Sequence, residues 1–154
     1  MKKLIIFLLL AGAGFAGYKF VLASSAAYQA YESFANALLY DRWEEAKKLA
    51  ASDSVKELIA ERESLPKKIG YETYRTLHGV VHMGPSRTVE SESSSADGSS
   101  VTLRVVQEER CGSTTMAPVG PPTIRHKQDV VMVTTPDGWQ VKEFKEEVQP
   151  LTDR

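Results

Sequence analysis

The chain has a single cysteine, Cys111, among its 154 residues, so no disulfide can form within it. That thiol lies far from the N-terminus, which also excludes a lipid-modified N-terminal cysteine. It sits beside Gly112 and Ser113 in a loop-like stretch, and an inert thiol is the expectation. Acidic residues are absent until Glu32. Neither glycine nor proline interrupts residues 18–39. Clustered basic residues are scarce too. Of 19 lysines and arginines, Lys2, Lys3 and Lys19 fall in the first 23 residues, leaving 16 bases against 20 acids downstream. A mildly acidic domain without a basic stripe is a poor nucleic-acid binder, because phosphate contacts need clustered cations. The pair Lys67-Lys68 beside Pro66 reads as a solvated turn.

What is present begins with "MKKLIIFLLLAGAGFAGYKFVLASS". Two lysines precede an apolar run from Leu4 to Gly17, the length of a signal-peptide core. Past Lys19 the run reaches Ala23, about the 20 residues a helix needs to cross a bilayer. Lys19 can snorkel to headgroups and Tyr18 suits an interface. Residues 1–23 are therefore expected to be a signal anchor, with the N-terminus cytoplasmic and the domain periplasmic or extracellular at a bacterial-type inner membrane. The alternative is cleavage after Val21-Leu22-Ala23 and secretion. With no breaker after Gly17, the anchor is expected to pass straight into the first helix of the domain. The glycines of "AGAGFAG" belong to this segment and suit helix packing rather than a nucleotide loop. A pilin reading fails because pilins place their hydrophobic stretch after a processed glycine and carry an early glutamate.

Residues 24–149 read as one domain, with 150–154 a short tail. Tyr28, Tyr31, Phe34, Ala35, Leu38 and Leu39 recur at helical spacing over Ser24 to Tyr40. Asp41 with Glu44 has the pattern of a capping box for a second short helix, with Trp43, Ala46, Leu49 and Ala50 inward. Ser54 with Glu57 suggests the start of a third, using Val55, Leu58 and Ile59 and ended by Pro66. After Gly70 the pattern turns to strands, expected over 70–83, 86–94, 99–110, 123–135 and 138–148. "SSSADGSS" and "TTPDGW" are turns, and "CGSTTMAPVGPP" is a long loop. Val101, Leu103 and Val105 alternate against Thr102 and Arg104, and Val131 and Val133 against Met132 and Thr134. Trp139 and Val141 differ in parity from Phe144 and Val148, which a bulge near Lys142-Glu143 would reconcile. Helices followed by a meander imply an α+β fold, helices on one face of a curved, mainly antiparallel sheet.

The run "YQAYESFANALLYDRWEEAKKLA" and the closing "DGWQVKEF" resemble nuclear-transport-factor-2-like domains, where a long amphipathic helix turns into a short one and a Gly-Trp turn opens the last strand. The resemblance spans most of residues 24–149 through patterns of residue type. It implies a cone-shaped sheet around the first helix, with a cavity between them. It also implies a range of roles: isomerases and dehydratases, binding modules, and membrane-tethered assembly domains such as a type IV secretion scaffold component. Pairing of two copies through sheet faces is expected by the same analogy.

Catalytic and metal constellations are hard to find. His78 and His82 are four residues apart in a stretch read as a strand, roughly 13 Å at ~3.3 Å per residue, too far to share an ion. No third ligand joins them with His126. Tyr71, Glu72, Tyr74, His78 and Asp129 are candidates for cone-facing acids and bases, without a local motif among them. Tyr28, Tyr31, Phe34 and Trp43 read most simply as core. The residues expected around the cone or ligand cleft are Tyr31, Phe34, Tyr74, His78 and Trp139. No catalytic residue, metal ligand or cofactor is assigned. The expectation is a tethered binding or assembly domain for a protein partner or small apolar ligand, contacting the membrane through Leu4 to Ala23. A small exported isomerase or dehydratase is the alternative.

Overall fold

The computed structural model describes residues 25–70, 85–109 and 124–150. The expected anchor, the strand expected over 70–83 apart from Gly70, the loop around Cys111 and the last four residues lie outside them. Among the described residues three helices precede four strands: α1 (Ala26–Leu39), α2 (Trp43–Lys48), α3 (Asp53–Ile69), β1 (Ser86–Ser94), β2 (Ser100–Glu109), β3 (Ile124–Thr135) and β4 (Gly138–Pro150). The strands form one antiparallel meander in the order β1-β2-β3-β4. The fold is α+β, as the sequence implies.

Helix α1 has a defined start. Ser25 is extended, with φ −58° and ψ 153°, and its side chain accepts a hydrogen bond from the Tyr28 amide at 3.0 Å. That geometry satisfies a helix-end amide but cannot lie inside a helix. An unbroken helix from the apolar segment into the domain is therefore ruled out at Ser25, although the sequence contains no breaker there. The inward face is Ala27, Tyr31, Phe34, Ala35, Ala37 and Leu38, the stripe expected from 3.6-residue periodicity.

The corner after α1 departs from expectation. Asp41 has φ 56°, a left-handed conformation that a short polar side chain tolerates better than most. It turns the chain one residue before the cap position, so it is not the residue at the cap of α2. Arg42 takes the cap position without a side-chain bond, and Glu44 pairs with Lys47 instead at 2.8 Å. Acids in the first turn and lysines in the last still suit the dipole of this short helix.

Helix α3 is capped by Ser52, not Ser54. The Ser52 hydroxyl accepts from the Val55 amide at 3.3 Å and donates to the Lys142 carbonyl at 2.6 Å, tying the helix start to β4. Ser52→Ala is expected to cost about 1–2 kcal/mol in urea unfolding, the range for a lost cap. Pro66 does not end the helix, which runs on to Ile69 and stops at Gly70 with φ 86°. Proline removes one amide and crowds the preceding turn. Only three helical residues follow it, so little of the helix is put at risk.

Sheet register fixes which side chains meet the helices. Val131 pairs with Glu143 and Met132 with Val141, leaving Lys142 as the extra residue of a bulge. Val141 and Phe144 are consequently both buried, which is the outcome the parity conflict required. Parity on β3 is the reverse of that expected: Val130 and Met132 are buried, while Val131 and Val133 lie on the other face and are partly exposed. In "VVMV" both parities are apolar, so alternation alone could not choose. The core joins the α1 stripe to Ala46, Val55, Ile59, Val101, Leu103, Val105 and these β3 and β4 residues. The start of β4 is closed by the segment after α2. Val141 donates to the Leu49 carbonyl at 2.7 Å, and Ala51 donates to the Val141 carbonyl at 2.8 Å.

Candidate cleft and its polar floor

Following the inward parity of β2 and β3 away from the apolar core, the residues change character. Val101, Leu103 and Val105 lead to Gln107 and Glu109; Met132 and Val130 lead back to Gln128 and His126. Glu146 follows Phe144 on β4, and Arg87 faces Gln107 from β1. One end of the sheet's inner face is therefore polar, under the same helices that cover its apolar end.

These groups form a chain of hydrogen bonds. Tyr31 donates its hydroxyl to Gln128 Oε1. Gln128 Nε2 donates to Glu146 Oε1 at 2.7 Å, and His126 Nδ1 stands 3.1 Å from that oxygen. Arg62 from α3 reaches the other oxygen, Oε2, at 2.6 Å, with its guanidinium 5.9 Å from the Phe144 ring centre. On the far side of the imidazole, Nε2 lies 3.5 Å from Glu109 Oε1. At that length it is an ion pair without a good hydrogen bond, and Nε2 is buried without another partner. Gln107 bridges Glu109 at 2.7 Å and Arg87 at 2.7 Å, and Arg87 continues to Asn36 at 2.7 Å.

The charges hold one another. Glu109 and Glu146, one at each ring nitrogen, raise the His126 pKa to about 9 against the desolvation that would lower it. Burial would raise the Glu146 pKa, but His126, Arg62 and Gln128 outweigh it and hold it near 2. The histidine is thus protonated and Glu146 ionised at neutral pH. Burial pushes the Tyr31 hydroxyl well above the usual phenol range, so it remains a donor.

A pH dependence follows. His126 titrates higher folded than unfolded, so its contribution is complete below about pH 6.5 and disappears as the pH rises through 9. Glu146 titrates lower folded, so its contribution is complete above about pH 4.5 and is lost toward pH 2. Stability should plateau between roughly pH 4.5 and 6.5 and decline by about 2–3 kcal/mol toward pH 9.5, read from urea midpoints across that range.

Above this floor opens a cleft of about 300 Å³. Its walls are Leu38 and Leu39 of α1, Trp43 of α2, Leu65 of α3 and Phe144 of β4, with Asp41 and Arg62 beside them. Of the residues expected at a cleft, Tyr31 and Phe34 are fully buried in the core and do not line it. Trp139 packs partly buried against the core and also lies outside the lining. Tyr74 and His78 fall outside the described residues, as do Tyr71, Glu72 and His82. Asp129 is on the outer sheet face, paired with Arg104 at 3.0 Å, and so is no cone-facing acid.

Gln107, Glu109, Gln128, Glu146 and Arg62 were not anticipated. For the four on strands the signal in the sequence is a polar residue at inward parity, visible only once the register is known; Arg62 lies on α3 and has no such signal. Among the described residues no set of three or more histidine, cysteine or acidic side chains is placed to hold a metal. Glu109 and Glu146 approach His126 at different ring nitrogens, so the three do not converge on one point.

No family model matches the chain, and no curated protein matches it. Among solved structures it is similar to the intermembrane space region of the chloroplast protein ARC6, with a TM-score of 0.56 over 82% of this chain and 99% of that one. Sequence identity is 13%, so the similarity is one of fold: helices packed on an antiparallel sheet.

Proposed function

We propose that this chain is a membrane-tethered extracytoplasmic binding or assembly domain, a divergent nuclear-transport-factor-2-like cone whose cleft receives a protein partner or small apolar ligand. The observation that carries the reading is the cleft itself: apolar side chains from α1, α2 and α3 stand over a floor where His126 and Arg62 are paired with Glu109 and Glu146. Such a floor is rigid and offers little to a reacting substrate. The tether rests on the apolar run Leu4 to Ala23 in the sequence. Among the described residues no helix is long and apolar enough to cross a membrane.

The isomerase or dehydratase reading keeps one observation, a histidine and two carboxylates bordering a cleft. Against it stands their protonation. A general acid or base works best with a pKa near the working pH, whereas His126 is held near 9 and Glu146 near 2. Pairing of two copies through outer sheet faces also finds little support. That face carries cross-strand ion pairs, Arg104 with Asp129 and Arg125 with Glu108 at 2.7 Å, which a dimer would have to desolvate.

The test is affinity recovery of the full chain from membranes after cross-linking, beside Leu39→Ser and Trp43→Ala variants that keep the fold. A specific partner, lost in both variants, is the expected result. Recovery of no partner, or of a partner indifferent to both substitutions, overturns the proposal. Intact mass from the same membranes tests the tether: a mass beginning at Ser24 removes it.

A further inference from the structure

The cleft is not the only depression at Trp43. A second, shallower one of about 320 Å³ lies against it, lined by Asp41, Arg42, Trp43, Glu44, Glu45 and Glu63. Asp41 and Trp43 line both. The two concavities are therefore neighbours, one with apolar walls and one with an acidic lining.

The charge is unevenly divided between them. On the cleft floor His126 and Arg62 match Glu109 and Glu146, so the floor has no strong preference for either sign. In the shallow depression Glu44, Glu45 and Glu63 stand with Arg42, and Lys47 bridges Glu44 and Glu63 at 2.8 and 2.9 Å. Among the described residues these three carboxylates outnumber the two cations, leaving the rim net negative. The ion pairs there are solvent-exposed: Arg42 and Glu45, 2.8 Å apart, keep about half their side-chain surface in water. Exposed pairs contribute little, so an incoming cation can replace one of the local ones at small cost. Trp43 adds an aromatic ring, which attracts a cation held against its face.

We propose that the occupant of this surface is a basic, amphipathic segment of a partner protein, with an apolar side chain in the cleft and lysine or arginine at the rim. This rests on the cleft being the docking site and adds the chemistry of what docks. An acidic segment or an anionic lipid surface meets repulsion at the same rim.

The experiment uses the full chain in neutral-lipid nanodiscs, carrying Trp139→Phe so that Trp43 alone reports. Three peptides of equal length are titrated: leucine with lysine, leucine with glutamate, and serine with lysine. The leucine–lysine peptide is expected to shift Trp43 fluorescence with at least about tenfold higher affinity than the other two, and to weaken as salt rises. Glu44→Lys combined with Glu45→Lys, both at exposed positions, should weaken it about tenfold or more while circular dichroism stays unchanged. Equal binding of the leucine–glutamate or serine–lysine peptide overturns the inference, as does indifference to the charge reversal or no binding at all. If one of those occurs while Leu39→Ser still abolishes partner recovery, docking at the cleft stands and only the partner's chemistry falls.

Discussion

Glu146→Ala is expected to lower the unfolding free energy by about 3–5 kcal/mol, the range for removing one partner of a buried ionic cluster. The carboxylate takes a hydrogen bond from Gln128, faces His126 and pairs with Arg62, and its side chain is only 14% exposed. Removing it leaves two cations facing each other in a place water reaches poorly, and leaves Gln128 Nε2 without its acceptor. Unfolding in urea should show a lower midpoint with an unchanged slope, since the exposed area is the same. A second readout separates this from generic damage. Without Glu146 the His126 pKa should fall toward the ordinary histidine value of roughly 6.5, followed by its ring proton shifts in NMR. The decline in stability between pH 6.5 and 9 should shrink with it. A variant destabilised by less than about 1 kcal/mol would mean that the cluster is wet and loosely held.

Phe34→Ala should cost a similar amount, about 3–5 kcal/mol, for a different reason. Phe34 is wholly buried on α1 and meets Phe144 of β4 edge-on, ring centres 5.6 Å apart. Truncation leaves a cavity where helix and sheet join, and the bulge at Lys142 that turns Phe144 inward leaves little freedom to collapse it. Because Phe34 is below the cleft rather than in it, the more conservative Phe34→Leu should cost less and leave peptide binding at Trp43 unchanged. Loss of binding in that variant, with the fold intact, would mean that the cleft reaches deeper than its present walls.

Much of the architecture was legible in the residues because periodicity is a local signal. The α1 stripe and the spans of all four described strands, β1 to β4, are legible to within two residues at every end. The bulge on β4 was legible from a conflict of parity between Val141 and Phe144. The misreadings have local causes too. Asp41 with Glu44 matches a capping box in letters, but the chain needs a left-handed residue at that corner. Pro66 reads as a stop, but only one turn of helix follows it, so the proline is tolerated. "VVMV" on β3 has no polar member to mark its outer face. The polar floor was hidden for a deeper reason: its members come from five elements and meet only through the register of four strands. Gln107 and Gln128 have no motif; what marks them is sharing a face with Leu103 and Val130.

Ser25 has a practical consequence. A helix that satisfies its own first amides through its own serine is complete from that residue onward. A chain cut after Ala23 would keep the cap, losing none of the hydrogen bonds that start α1.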